Sequence, residues 1–574
     1  HAELHKGVFP ARFGGRLSSV LDLRMKEGNR KKFSGQGGIG LIAGRLTLEG
    51  PIGKSEKFSY LLSGRRSYAD LILGLLSDDN SEKNVIAFHD GNAKLSFRPN
   101  DKHDFFLSSY VGRDRFAFAN QFENQRLEDG FNWGNTTLTA RWNYRLGDRA
   151  FLKTTLLRST FDFRQYTEEI QNELRFSNQV ENRIGNLGGK IDLDLAAGED
   201  HQFRSGFAYT RHRFNSAILT LQEMNPDSFD LTTPDNHAQE IAFYVEDRWE
   251  ITPRLTANIG LRWNGFEGSG KFYQNLEPRI FTQYQLRPDI AIRAGYMRSN
   301  QYLHLLSNSG VGLPTDLWVG SDDDIAPQRA WQATAGIVKD WIDEGISMTL
   351  ETFYKESDRI IGYRDGASFL VLDFDSEGDR INPPDPKENI TTGTGRAYGA
   401  EFLLEYERNR FSGFLGYTYL RAEQQLAGVN DDNFFPANQD RRHDLNLAVT
   451  YDWTTNLQLS LNWSYGSGVP TTLPIGRYSA ANLPGFSNSG GRDYVLSGDR
   501  NTNRLPSVHR LDLALRWYRS PRWGEAHWEF GIYNAYNRAN PFYLRSVPAG
   551  FNRNKLVQVS LFPIIPSVSY NFSF

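Results

Sequence analysis

Cysteine is absent from the 574 residues. That excludes a disulfide-braced secreted fold, thiol catalysis and any cysteine-ligated metal centre. Long hydrophobic runs are missing too: hydrophobic residues make up 39% of the chain, and nowhere do about 18 of them stand together as a membrane-crossing helix requires. A helical membrane protein is excluded, but a membrane barrel is not, because its strands need an apolar residue only at every second position. Charge of one sign is lacking: 65 basic and 68 acidic residues are interspersed, for a net charge of −3. No basic patch with interleaved aromatics marks a nucleic-acid surface. The 11 histidines form no HExxH or other close pair, so neither a catalytic metal nor a cofactor is expected. No Pro/Ser-rich linker, like-charge block or low-complexity tract divides the chain, which favours one large closed element. The first residues, HAELHKG, show no start methionine and no apolar leader core, and are read as internal to a longer precursor.

What is present is alternation. Ile241, Phe243, Val245, Trp249 and Ile251 alternate with Ala242, Tyr244, Glu246, Arg248 and Glu250; after a short turn Leu255, Ala257, Ile259, Leu261 and Trp263 repeat the pattern. The same period appears at Leu445–Tyr451 with Leu457–Trp463, at Met348/Leu350 with Phe402/Leu404/Tyr406, at Leu511–Trp517, and at Trp528/Phe530/Ile532. Runs of about eight to eleven such residues match a tilted strand crossing a bilayer. The other face carries too much Arg, Glu and Asp for a dry interior and suits a wet lumen. Twenty-six Tyr and 12 Trp are enough for two interfacial girdles. Short connections (147–149, 252–254, 453–455) alternate with long ones rich in Gly, Asn, Asp and Pro (216–237, 301–327, 365–392, 467–505), the asymmetry of periplasmic turns and extracellular loops. From about residue 34 onward the pattern gives roughly 22 strands. The expected fold is all-β: a transmembrane antiparallel β-barrel with long extracellular loops and short periplasmic turns. A β-propeller, the soluble competitor, would repeat every 40–50 residues or so, and no such repeat is found.

Two segments stand apart from the lipid-facing pattern. The last residues place Val568, Tyr570, Phe572 and Phe574 on one face, ending on an aromatic, as expected of a barrel insertion signal; a plain final strand is the bland alternative. Near the start, FPARFGGRLSSVLDLRMKEGN (9–29) combines a Gly14–Gly15 turn with Arg12 and Arg16 four apart and a few packable leucines. This stretch resembles the end of the plug domain of TonB-dependent outer-membrane receptors, particularly those of the Bacteroidetes type. GLIAGRLTLEGPIGK (40–54) and SGRRSYADLIL (63–73) look like that group's first barrel hairpin. HDGNAKLSF (89–97), FPANQDRRHDLNL (435–447), YGSGVPTTLP (465–474), IYNAYNRANPFY (532–543) and VSLFPIIPSVSYNFSF (559–574) continue the resemblance in order.

The resemblance implies residues 1–30 as the C-terminal remnant of a plug and 31–574 as the barrel. It implies active import across the bacterial outer membrane, powered by the inner-membrane TonB complex, and no enzyme activity. Arg12, Gly14, Gly15 and Arg16 would be the plug–barrel contact. Outer-membrane lipid and lipopolysaccharide would surround the barrel, a surface lipoprotein is compatible as a partner, and the ligand is a small molecule, a glycan or a peptide taken up as a nutrient. A passive or protein-conducting barrel, or a scaffold in an envelope complex, is the rival reading. It has no use for the stretch 9–29, so the place of that stretch, in the lumen or outside it, decides between the two. Arg65–Arg66 and Arg113–Asp114–Arg115 are read as structural, with lipopolysaccharide phosphates as an alternative partner. Asp-rich tracts at Ser321–Asp324, Asn430–Asn433 and Asn225–Asp227 offer oxygen ligands that Ca²⁺ prefers without the spacing of a known loop, and are read as solvated.

Overall fold

The computed structural model describes residues 2–68, 70, 85–122, 125–171, 174–223, 229–232, 236–306, 317–365, 373–374, 381–382, 389–479, 493–548 and 554–574. Residues 225–227, one of the Asp-rich tracts, lie outside these.

Twenty-two antiparallel strands close into one barrel, beginning at Ser34–Gly40 and ending at Ile565–Ser573. Each pairs with its sequence neighbour. The first and last strands pair through Gln36↔Ser573 to Gly40↔Ser569 and shut the ring. Lengths run from 7 residues in Ser34–Gly40 to 24 in Leu174–Ala197. The longest strands therefore rise well beyond the apolar band, since about ten tilted residues suffice to cross it.

The expected alternation is the alternation observed. Phe243, Val245, Ile259 and Leu261 are 51%, 48%, 43% and 41% exposed, while Glu246 and Arg262 beside them are buried. Such a pattern inverts a soluble protein, because the apolar face meets lipid and the polar face lines the lumen. Outward-facing aromatics form rows. Phe97, Phe105 and Trp142 stack toward the short-turn rim, and Tyr296, Trp331, Tyr354 and Tyr398 follow one another toward the long-loop rim. Those are the two interfacial girdles.

Loop lengths differ from expectation in two places. Strand His201–Glu223 continues into what reads as the loop 216–237, because chain standing clear of the membrane still satisfies its backbone by pairing. On the long-loop side, Lys271 follows Gly268 across the two-residue turn Ser269–Gly270, both with positive φ. That is the hairpin geometry a tight right-twisted pair selects.

The seam is closed by aromatic rings over bare backbone. A Cβ added at Gly37 would stand 2.5 Å from the ring of Phe572, and Phe33 packs on Phe574 at 5.8 Å. Val568, Tyr570, Phe572 and Phe574 thus run along the closing strand, Tyr570 against Trp528 at 5.0 Å. Gly37→Val is expected to push the Phe572 ring off the seam and cost about 1–3 kcal/mol by overpacking. A lowered temperature of the heat-induced mobility shift on gels would show it, with Gly37→Ala milder.

Candidate functional site

Residues 2–30 lie inside the barrel. Their polar contacts fall on inward positions of strands from Phe58–Ser67 to Ile390–Arg408, the third to the sixteenth of the ring. Ser59 and Ser96 donate to the Glu27 carbonyl, Lys94 donates to that of Met25, Lys355 reaches Ser18, and Lys6 pairs with Glu401. A short segment can touch that much of the circumference only from within. Ala2–Lys6 and Ser19–Leu23 pair as a small antiparallel ribbon, so the chain doubles back on itself in the lumen.

The tightest docking is at residues 9–16. Phe9 and Ala11 are fully buried. Arg279, beneath them, donates from Nη1 to the carbonyls of Pro10 and Phe13 at 2.7 Å and of Phe9 at 3.2 Å, with its guanidinium 4.5 Å from the Phe9 ring centroid. Its charge is held by Glu277, fully buried at 2.6 Å. Glu277 in turn accepts from the backbone and side chain of Asn300 at 2.9 and 3.1 Å. This is a buried ion pair whose carboxylate is satisfied by Asn300, as a tolerated pair requires, while Arg279 Nε is buried without a hydrogen-bond partner among the described residues.

Arg12 reaches the wall through Glu246, Nη1 to Oε1 at 2.7 Å, and its backbone N–H donates to the other oxygen at 3.2 Å. Arg204 shares that carboxylate at 3.4 Å. Gly14 sits where a Cβ would meet Arg262 Nε at 2.2 Å, and Gly15 has φ +70. The pair of glycines is required by close approach and by conformation, respectively. Arg16 behaves differently from Arg12. Its Nη1 donates to the Gly15 carbonyl at 2.7 Å and braces its own turn, while its charge faces the wall carboxylate Glu240 across the cavity.

Above Gly15 and Arg16 a cavity of about 330 Å³ is bounded by His212, Glu240, Arg262 and Tyr302. Its roof comes from the mouth. The hairpin Leu303–Leu306 with Leu317–Gly320 folds inward, and Tyr302, Leu303 and Trp318 pack on the inward residues Ile184, Phe214, Ala238 and Phe266. Tyr302 and Phe266 stack at 4.7 Å. His304 in that hairpin is fully buried and bonded to Ser321 Oγ at 2.9 Å. Burial pushes its pKa down to about 4, Asp322 opposing weakly.

An opened hairpin takes up the His304 proton from about pH 6.5, whereas the packed one resists until about pH 4. Its closure is therefore fully stable above pH 6.5 and weakens as the pH falls toward 4, by on the order of 3 kcal/mol. Hydrogen exchange of 303–306 and 317–320, corrected for intrinsic rates, is expected to show this acid loosening. His304→Gln is expected to flatten it.

Toward the rim the long loops are knitted together. Arg500 donates to the Tyr363 carbonyl at 2.7 Å and to Asp365 at 2.5 Å, and exchanges bonds with Asn430 at 2.7 and 2.9 Å. Asp440 is fully buried between Arg504 and Arg442. The Asp-rich tracts serve the loops themselves: Asp322 accepts from the backbone of Asp324 and Ile325, both at 2.9 Å, and Asp432 accepts from Gly428 at 2.7 Å. Among the described residues no group of three or more His, Asp or Glu gathers as a metal set would.

Arg65 pairs inward with Asp90 at 2.6 Å, whereas Arg113 faces outward and shares Asp162 at 3.6 Å. The wall residues Glu277, Arg279, Glu246 and Arg262 were not anticipated individually; their one sequence signal is charge at inward positions of an alternating strand.

Comparison with known proteins agrees with this architecture. The family model described as TonB dependent receptor-like, beta-barrel matches residues 58–537. No curated protein sequence matches. Among solved structures, FpvA of P. aeruginosa bound to an iron-loaded heterologous pyoverdine aligns over 100% of this chain and 76% of its own, at 13% identity and TM-score 0.66. The ferric-catecholate import receptor Fiu of E. coli K12 aligns over 99% and 85%, at 13% and 0.67. The FrpB iron transporter of Neisseria meningitidis aligns over 100% and 87%, at 13% and 0.64. Identities this low speak for the fold alone.

Proposed function

The chain belongs to the TonB dependent receptor-like β-barrel family and so is an outer-membrane active transporter, and from that premise we propose that residues 1–30 are the closing segment of the plug that stops its lumen. The observation that carries this is the docking of 9–16 on Arg279, Glu246 and Arg262 inside the barrel. A ring of this many strands encloses a lumen wide enough to leak unless it is filled. A passive channel gains nothing from a buried ion pair spent on holding a peptide across its own pore.

In this reading Arg12 is the charged latch to the wall, the two glycines allow the close approach, and Arg16 stiffens the turn between them. Force from the inner-membrane TonB complex, applied to the plug, has to break the Arg12–Glu246 contact or swing 9–16 off Arg279 before a solute passes. The inward hairpin at Tyr302 and Trp318 lies on the route a ligand takes from outside. The Bacteroidetes-type assignment rests on the ordered segments from 9–29 to 559–574, and a surface lipoprotein seated on the knitted loops would fit that type.

Single-channel conductance in planar bilayers tests the proposal, comparing the protein as the cell exports it with this 574-residue chain. A closed exported form beside a conducting 574-residue chain supports a plug that ends at residue 30. Conduction by both favours the passive channel.

A further inference from the structure

At the short-turn rim, on the lumen side, lies a charged cavity that the transport reading does not use. Its wall is built in two rows by neighbouring strands. The inner row runs through the cross-strand partners Arg145, Phe151, Asp194, Arg204 and Glu246. Two residues nearer the turns, the outer row runs through Ala196, Gln202 and Arg248. The Ala196 N–H donates to the Arg149 carbonyl at 2.8 Å, which brings the turn 146–149 to the same level. Side chains two apart on a strand share a face, so Gln202 and Arg248 point inward as Arg204 and Glu246 do. Glu3, His5, Pro10 and Arg12 of the luminal segment bound the cavity from within, and its volume is about 520 Å³. Small-ligand pockets range over about 300–1,000 Å³.

The two rows differ in how their charge is spent. In the inner row Arg204 pairs with Asp194 and stands 3.4 Å from Glu246, which also takes Arg12 at 2.7 Å. Arg145 at the end of that row, with Arg149 and Arg248 nearer the turns, is left out of this pairing. All three are exposed, and among the described residues no carboxylate comes within ion-pair distance of any of them. Their charge is not spent on the fold. Asp148, beside Arg149 in the turn, borders the same cavity and is exposed as well. Arg149 and Arg248 stem from backbone three strand spacings apart, roughly 14 Å. About four residues of extended peptide cover that span.

We propose that this cavity binds the peptide stem of the cell-wall polymer, with stem carboxylates taken by Arg145, Arg149 and Arg248 and a free ammonium taken by Asp148, so that the barrel is moored to the wall beneath it. The short turns face the periplasm, and a ligand entering at their level is a periplasmic one. A stem peptide carries carboxylates on separate residues and an ammonium on its diamino acid, the complement of three guanidiniums and one carboxylate set around a cavity. Guanidinium forks hold carboxylates bidentately. A lone inorganic anion would leave most of the volume empty. The site rests on the outer-membrane placement of the barrel and is independent of what is transported.

The test is co-sedimentation with purified cell-wall sacculi of the protein as the cell exports it, solubilised in mild detergent. Binding is measured at about 0.15 M salt, where attraction between exposed charges is screened beyond about 8 Å. Wild type is expected to bind sacculi at least tenfold more tightly than Arg145→Gln/Arg149→Gln/Arg248→Gln. The disaccharide–tripeptide released from the wall is expected to compete, and the same disaccharide without its peptide is expected not to. A second triple variant, Arg254→Gln/Arg287→Gln/Arg408→Gln, removes as many charges from the short-turn rim outside the cavity and is expected to bind as wild type does. Equal binding by wild type and the first variant, or an equal loss in the second, overturns the site. Equal competition by the peptide-free disaccharide or by inorganic phosphate also overturns it, because the ligand would then be the glycan or any small anion. Heat-modifiable gel mobility confirms that each variant is a closed barrel. A chain that fails to fractionate with outer membranes refutes the placement itself, a separate failure from loss of wall binding by a correctly placed barrel.

Discussion

Replacing Arg279 by alanine is expected to free residues 9–16 from the wall and to destabilise the barrel around Glu277 in the same stroke. The two effects have different origins and can be separated. Arg279 supplies three hydrogen bonds to backbone carbonyls of the segment, and among the described residues no other wall side chain hydrogen-bonds the carbonyls of Pro10 or Phe13. It also neutralises a carboxylate with no exposure to solvent. Removing one partner of a buried pair costs about 3–5 kcal/mol, because the other is left uncompensated. In Arg279→Ala the barrel is therefore expected to lose its heat resistance and the amides of 9–16 their exchange protection. Adding Glu277→Gln to that variant removes the stranded charge while keeping acceptor capacity for Asn300. It is expected to restore much of the heat resistance and none of the protection at 9–16. Recovery of both would show that the segment is held by the rest of the lumen, and that Arg279 serves only the wall.

This division tracks what could be read in advance. A period of two is a property of each strand by itself, so the barrel, its lipid face and its start near Ser34 were visible in Phe243, Val245, Leu261 and their fellows. The latch was half visible. Arg12 stood out as a charge in a glycine turn, but its partner Glu246 lies 234 residues away, a distance that no local pattern bridges. Arg16, with the same side chain four residues on, turns back to its own backbone; nothing in spacing distinguishes the two. The Arg279 cradle was hidden for a deeper reason. It binds carbonyl oxygens, which every residue carries and which leave no mark on a sequence. The inward fold of Tyr302 and Trp318 was equally hidden, since an aromatic in a long loop looks the same whether it caps the lumen or faces outward.

The mouth offers a second large effect, with the barrel left intact. Asp440 is the point where three loop segments meet. Its carboxylate pairs with Arg504 and with Arg442, the latter at 3.2 Å, and accepts the Ala422 N–H at 2.8 Å. Arg504 spans onward from the Asp440 carbonyl to that of Gly468, at 2.8 and 2.9 Å. Asp440→Ala leaves two guanidiniums without their anion and one strand amide without its acceptor. The guanidiniums left behind are 24% and 31% exposed, so water screens them and the charges cost about 1–2 kcal/mol, below the figure for a fully buried pair; the amide adds about 1–3 kcal/mol if it stays buried. Because these groups hold loops and not the ring, the loss is expected to appear as protease cleavage of intact cells within 427–442, 467–479 and 493–507, with unchanged barrel mobility on gels. Asp440→Asn keeps an acceptor for Ala422 and lacks the charge, so its loops should be cut more slowly than those of Asp440→Ala and faster than wild type. If the asparagine variant resists cleavage as well as wild type, geometry rather than charge holds the mouth. The ion pairs at Arg442 and Arg504 then contribute little beyond their hydrogen bonds, and the loops would keep their shape at salt concentrations that screen exposed charges.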